Sequence, residues 1–406
     1  MKWSELPSDA KRYIIYHVLV SPSLFTWVLL PYYLLVSGLS VLEVGMLYTV
    51  VEAAGIPLTL ALGKAFTRLD VRKGLAITDF LAALSNLLYF AAEGAYAPLV
   101  FAVGMLVEEF SSTFYPLYQA YERAVYPQDR LKEVMVWHLR LPETAVVAAY
   151  PVMGVAWGYL CPSQDCLRIA FLFFAAYSAA MAVYILAFFK PVIPSKEGGE
   201  KEEESGLREA LRSLKGKLRI YVAAYVLYIL GWSLAPTFAL VNYVQENYGG
   251  NLFHVALVES SVSLATVSAT YLVDRIPEER SFEAMQYGVV VVTLGLALIS
   301  LSPPFAAIVA AFYLARIGES VWFAFNRAWF LSSISEEESA VVSASISAII
   351  RLTSILTPAI AGVLSYVDPR LPYAAGLAMI LLTIPLYGKA RAALKPEEQA
   401  GTAEKV

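Results

Sequence analysis

Apolar residues along this chain gather into twelve runs separated by short polar stretches. They lie at about 13–37, 41–66, 74–93, 97–121, 134–160 and 167–189, and after a polar gap at 220–243, 253–273, 284–302, 305–330, 340–366 and 372–388. Each is near the roughly 20 residues that carry a helix across a bilayer. Most are apolar on every side, whereas a helix covering a soluble core is apolar along one stripe. Period-two alternation is absent, so backbone groups in lipid must pair within helices and not around a barrel. The pattern predicts an all-α polytopic membrane protein with twelve transmembrane helices.

Composition strengthens that expectation. Of 406 residues, 58% are hydrophobic and 16% charged, against about 25% charged in soluble proteins. The formal charge of −4 is near balance, and no basic patch interleaves with aromatics, so a nucleic-acid partner is not expected. Met1 to Arg12 is polar and mixed in charge and leads straight into the first apolar run. No short apolar region with a small-residue cleavage site follows, so the first helix is expected to be retained.

Basic residues set the orientation. With a cytoplasmic N-terminus, all but five of the 30 Lys and Arg fall on the inner side, Lys11, Arg12, Arg130, Lys132, Arg280, Lys389 and Arg391 among them. The outer loops keep Arg168 and Arg370. An even number of spans then places both termini in the cytoplasm of a cell-membrane protein. The polar stretch 190–219 divides the chain, giving an N-terminal six-helix bundle at 1–189, a cytoplasmic linker at 190–219, and a C-terminal bundle with its tail at 220–406. Within the linker an acidic run precedes Leu207, Leu211, Leu214 and Leu218, whose spacing with intervening basic residues suits a helix on the membrane surface.

Charge inside the apolar runs carries the functional signal. The survey singles out Glu52, Glu108, Glu109, Arg140, Glu143, Glu259, Arg316, Glu319 and Arg351. A charge at a helix centre costs roughly 2.5–3.5 kcal/mol on the insertion scale, so such residues are paired, wetted or functional. Glu108 and Glu109 are adjacent and point about 100° apart. Arg316 and Glu319, like Arg140 and Glu143, are spaced to pair on one helix face. Six acids against three arginines leave carboxyls able to exchange protons. Trp27, Tyr32, Tyr115, Tyr118, Trp232 and Trp322 offer faces for a cation, or else pack against lipid and neighbouring helices. His17, His138 and His254 read as scattered, and no metal cluster is expected. Cys161 and Cys166, the two cysteines of the chain, either close a small disulfide loop on an oxidising side or remain two thiols.

The halves also repeat. A shift of 207 residues brings Glu52 onto Glu259, Pro151 onto Pro358, Glu109 onto Arg316, and the loop Gly63–Lys73 onto Thr270–Arg280. That loop reads Gly63-Lys-Ala-Phe-Thr67-Arg68-Leu-Asp70-Val-Arg72-Lys73, and its counterpart keeps Asp274-Arg275. Both resemble the loop between helices 2 and 3 of the major facilitator superfamily, with Thr67 in place of an acid and Asp70 in place of a glycine. Tyr150-Pro151-Val-Met-Gly154 resembles that family's antiporter element without its first and last glycines. The resemblance implies two pseudo-symmetric six-helix bundles related by a parallel repeat. It also implies a conformational latch at Gly63, Arg68, Arg72, Lys73, Asp274 and Arg275.

Together these features predict a secondary active carrier of a small organic solute, working by alternating access with proton coupling. Its substrate and proton pathway is expected to run through Glu52, Glu108, Glu109, Glu259, Arg316, Glu319 and Arg351. Export of an amphiphilic or cationic compound fits the acids and aromatics. Uptake of an anionic or sugar-like solute through the arginines, sodium coupling, and a non-transporting receptor are the alternatives. No HExxH, GxSG or GxxxxGK[ST] occurs, so neither an enzyme nor an ATP-driven pump is expected. The chain is expected to need no cofactor and to act as a monomer in the bilayer.

Overall fold

Backbone self-satisfaction in an apolar medium leaves helices as the economical solution, and the computed structural model is helical throughout its described residues. These are 2–66, 70–193, 216–332, 342, 345–346, 349–350 and 353–394, with no strand among them. The first apolar run forms α1 (Ser8–Val20) and α2 (Thr26–Val36), joined by a tight turn at Ser21–Phe25. Then come α3 (Val41–Phe66), α4 (Val71–Ala91), α5 (Ala97–Ser112), α6 (Pro116–Val125), α7 (Leu131–Val155) and α8 (Gln164–Phe188). The later half supplies α9 (Gly216–Ser233), α10 (Thr237–Tyr248), α11 (Leu252–Val273) and α12 (Ser281–Ser300). It closes with α13 (Phe305–Ser332), α14 (Thr357–Val367) and α15 (Leu371–Leu394).

Among the described residues, eight helical runs are long and apolar enough to cross a membrane, or nine if the bent pair Leu218–Ser233 and Thr237–Tyr248 is one span. The expected runs at 41–66 and 134–160 are occupied by α3 and α7. Much of 340–366 lies outside the described residues, as do Arg68, Arg351 and the linker helix expected near 207–218 up to residue 215.

Sequence chemistry sets the helix ends. The Asp70 side chain accepts from the Arg72 amide at 3.0 Å and caps α4, so the acid replacing a glycine in the latch loop has a structural task. Ser163 caps α8 in the same way. Pro116 and Pro358 begin α6 and α14, where a missing N–H costs nothing. Cys161 and Cys166 are joined by a disulfide, with Cα atoms 5.6 Å apart, between the π-helical turn that ends α7 and the start of α8. Between α14 and α15, the Arg370 guanidinium and amide hold the Asp368 carboxyl down to about 2.

Contacts group the helices into two units. One comprises residues 1–201 with 237–267, the other 202–236 with 268–406. In the first, Tyr13, Tyr16, Phe114, Tyr121, Tyr126 and Phe189 form the centre of a tyrosine-rich core. There α11 lies close to α7, because a Cβ at Gly154 would meet Ala256 Cβ at 2.8 Å and the Phe253 backbone at 2.9 Å. In the second, α12 and α13 cross at Gly288 and Gly318, and α9 meets α15 at Gly231 and Gly376. Small residues let membrane helices approach where lipid supplies no hydrophobic push.

Gly318→Ala should lower stability by about 1–3 kcal/mol, because its Cβ would lie 2.6 Å from both the Gly288 carbonyl oxygen and the Val292 nitrogen. Gly388→Ala is the control: a Cβ there meets nothing within 4 Å, and the gain in helix propensity is up to about 1 kcal/mol. Thermal unfolding of both variants in detergent checks the contrast. Equal stability for the two would contradict the close crossing.

Candidate functional site

The most developed polar site in the first unit centres on Glu108 of α5. Trp27 of α2 donates from Nε1 to Glu108 Oε1 at 2.7 Å, and Tyr89 of α4 donates from its hydroxyl to Oε2 at 2.8 Å. Both oxygens are thus engaged, and both donors are neutral groups. Glu109, one residue on, turns to α3, where a Cβ at Gly55 would collide with its Cγ. The adjacent acids thus serve different faces, as their helical angle requires. Glu52 lies three residues, about one turn, before Gly55 on α3 and is half-buried.

Aromatic surface flanks these acids. Trp27 is 48% exposed and Tyr115 is 45% exposed. Tyr115 lies within electrostatic range of Glu108, Glu109 and Asp79. Asp79 is a further in-span charge, within 74–93, that is not among the nine singled out from the sequence. It is buried, and both its oxygens accept from the Tyr16 hydroxyl, at 3.0 and 2.9 Å. A lone Asp among Ile77, Thr78 and Phe80 breaks the apolar run as plainly as Glu108 does, so the signal was present in the sequence.

Glu259 of α11 also belongs to the first unit. It lies within electrostatic range of Tyr150 on α7, as does Glu143, and the neighbouring Ser260 hydroxyl donates to the Val147 carbonyl at 3.0 Å. In the second unit, Arg316 Nη1 donates to Glu319 Oε2 at 2.6 Å within α13. The three-residue spacing thus closes into an ion pair. One turn further on, Trp322 is buried and stacked on Tyr228 with ring centroids 3.6 Å apart, which makes it core and not a cavity face. Arg351 lies outside the described residues.

The residues of the expected latch divide similarly. Gly63 is in α3, Arg68 lies outside the described residues, and Lys73 is exposed at the start of α4. Arg72 Nη2 is 3.9 Å from Asp70 Oδ2. Asp274 and Arg275 follow α11 on an exposed turn.

The histidines require a correction. His17 of α1 and His138 of α7 are far apart in sequence, yet their ring centroids lie 4.6 Å apart. They are not scattered. Period and spacing within one helix cannot reveal this, since the pair forms only where α1 packs against α7. Among the described residues no group of His, Cys, Asp and Glu is arranged to hold a metal ion.

Comparison with known proteins follows from this geometry. The sequence model of the Major Facilitator Superfamily matches residues 14–358. A search among curated proteins finds no match. Among solved structures, the nucleoside transporter NupG superposes with a TM-score of 0.65 at 15% identity, covering 96% of this chain and 100% of that one. A bacterial metal transporter gives 0.69 at 15% identity, covering 95% and 99%. A POT family transporter in complex with a thioalcohol-conjugated peptide gives 0.68 at 13% identity, covering 95% and 97%. At these identities the likeness is one of fold.

Tyr89→Phe should destabilise the protein by about 1–3 kcal/mol, because it leaves one oxygen of the Glu108 carboxyl without its donor. Adding Glu108→Gln to Tyr89→Phe should recover part of the loss. Unfolding measurements on the single and double variants test this, and strict additivity of the two changes would show that the hydrogen bond carries no coupling.

Proposed function

Since the chain belongs to the Major Facilitator Superfamily, whose matched structures are solute transporters, we propose that it exchanges an organic cation or cationic amphiphile for protons. That it is a multi-pass membrane transporter of some solute follows from the family. The matched structures are a nucleoside transporter, a metal transporter and a transporter holding a peptide conjugate, three different chemistries, so the substrate class must be argued from the chain's own side chains. The observation that carries the reading is Glu108 fixed by neutral donors beside exposed Trp27 and Tyr115. A held negative charge between aromatic faces attracts a cation through charge and ring quadrupole together. An anionic solute would meet acids here, and Arg316 is already engaged by Glu319.

Coupling follows from competition. A carboxyl that holds a proton offers no charge to a cation, and a ligand shifts a carrier between states only by binding them unequally. Glu109, leaning on Gly55 and not held by Trp27 or Tyr89, is the proposed proton acceptor, with Glu52 next to it along the route. Glu259, Arg316 and Glu319 are proposed as further pathway residues, and Arg72, Lys73, Asp274 and Arg275 as parts of the latch. Exchange of this kind runs as export when protons move inward. The excess of Lys and Arg on one set of loops supports cytoplasmic termini in the cell membrane, and the Cys161–Cys166 disulfide supports an oxidising outer side for its loop.

Glu109→Gln, which mimics the protonated acid, should cut flux of a quaternary ammonium dye driven by a pH gradient about tenfold or more while dye binding survives. Proteoliposomes with and without an imposed gradient provide the assay. Unchanged gradient-driven flux would end the assignment and make Glu52 the next acid to test. For orientation, an impermeant thiol reagent applied to intact cells after reduction should label Cys161 and Cys166. Labelling that requires lysis would reverse the topology.

A further inference from the structure

A second titratable cluster lies in the first unit, away from Glu108, and the mechanism above does not use it. At its centre His138 Nδ1 shares a short hydrogen bond with the Tyr126 hydroxyl and sits 3.9 Å from Glu122 Oε1. Tyr13 of α1 donates its hydroxyl to the same Glu122 oxygen at 3.0 Å. His17 faces His138 across 4.6 Å, and its buried Nε2 has no hydrogen-bond partner among the described residues. A buried imidazole nitrogen without a partner is costly to keep unless its site serves another state of the molecule.

The donor bookkeeping is specific. With His138 neutral, Nδ1 accepts from Tyr126 and Nε2 carries the hydrogen. A proton arriving at Nδ1 turns that atom into a donor, with the Glu122 carboxylate close enough to balance the new charge. Two imidazolium rings at the His17–His138 distance would repel, so the pair accommodates a single proton.

Among the described residues, Glu122 is the acid in ion-pair range of His138. From α1 the cluster is faced by Tyr13, Tyr16 and His17, from α6 by Tyr118 and Glu122, and from the residue that follows α8 by the Phe189 ring. The cations at its edge are spoken for, since Arg12 and Lys190 both lie against Asp9, at 3.6 and 3.4 Å. A separate hydroxyl chain lies beside the cluster. Tyr16 gives its one proton to Asp79, so the 3.0 Å bond between Tyr16 and Tyr118 must be donated by Tyr118.

We propose that His138 is a proton-binding residue of this carrier, with Glu122 as its counter-charge and His17 as the neighbour that limits the site to one proton. It rests on the reading of protons as the coupling ion and adds a proton site on α7 to the acids already proposed. In the exchange cycle a proton held here as imidazolium–carboxylate would draw α6 and α7 together, and its departure would release them.

The chain has three histidines, so histidine-selective isotope labelling of the full-length protein gives three imidazole signals, assigned with His17→Gln, His138→Gln and His254→Gln. Titration downward from neutral pH, as far as the protein stays folded, should show His138 taking up one proton while His17 stays neutral. Glu122→Gln should weaken that proton binding about tenfold, whereas Glu109→Gln should leave it unchanged. A His138 signal that keeps one protonation state across the range in folded protein would overturn the proposal. So would full protonation of both imidazoles, or a titration indifferent to Glu122→Gln. The titration needs no substrate and no gradient, so its failure is distinct from a failure of exchange in proteoliposomes.

Discussion

Lipid offers two apolar helices no hydrophobic reason to touch, so this fold depends on how nearly their backbones can approach. At Gly288 and Gly318 each absent side chain makes room for the other helix's main chain, and Gly154 does the same for α11 against α7. Dispersion between closely packed atoms is small per pair and large when summed. It is lost steeply with a fraction of an ångström of separation. The polar sites inherit their geometry from these crossings, because Glu108 is reached from α2 and α4 only while both stay close to α5.

The same medium governs the charges. An ionisable group inside a helix bundle is tolerated when neighbours supply donors, acceptors or an opposite charge. Three solutions coexist here. Arg316 and Glu319 neutralise each other within one helix. Glu108 has both its oxygens held by neutral donors. His138 and Glu122 stand near each other without yet being bonded. The first is suited to fixing a helix face, the second to attracting a partner, and the third to changing state.

How much of this was legible in the sequence differs from one level to the next. The helical class and the positions of most of the runs were readable, because apolar length and the absence of alternation have few other causes in a membrane. The family was readable from Arg68, Arg72, Asp274 and Arg275 only as a degenerate likeness. The Arg316–Glu319 pair was readable, since a three-residue spacing is a property of one helix. Trp27 reaching Glu108, Tyr16 reaching Asp79 and His17 meeting His138 were not, because each joins helices whose relative rotation no single-helix pattern encodes. Asp79 itself could have been found, since one acid in an apolar run is visible without any structure.

The disulfide between Cys161 and Cys166 has a practical side. These are the chain's two cysteines, and they are bonded to each other, so the oxidised protein carries no free native thiol. A single cysteine introduced elsewhere would be a unique attachment point for a spin label or dye, with no native residue removed beforehand. Distances between pairs of such probes could then follow the carrier through its cycle in an otherwise natural sequence.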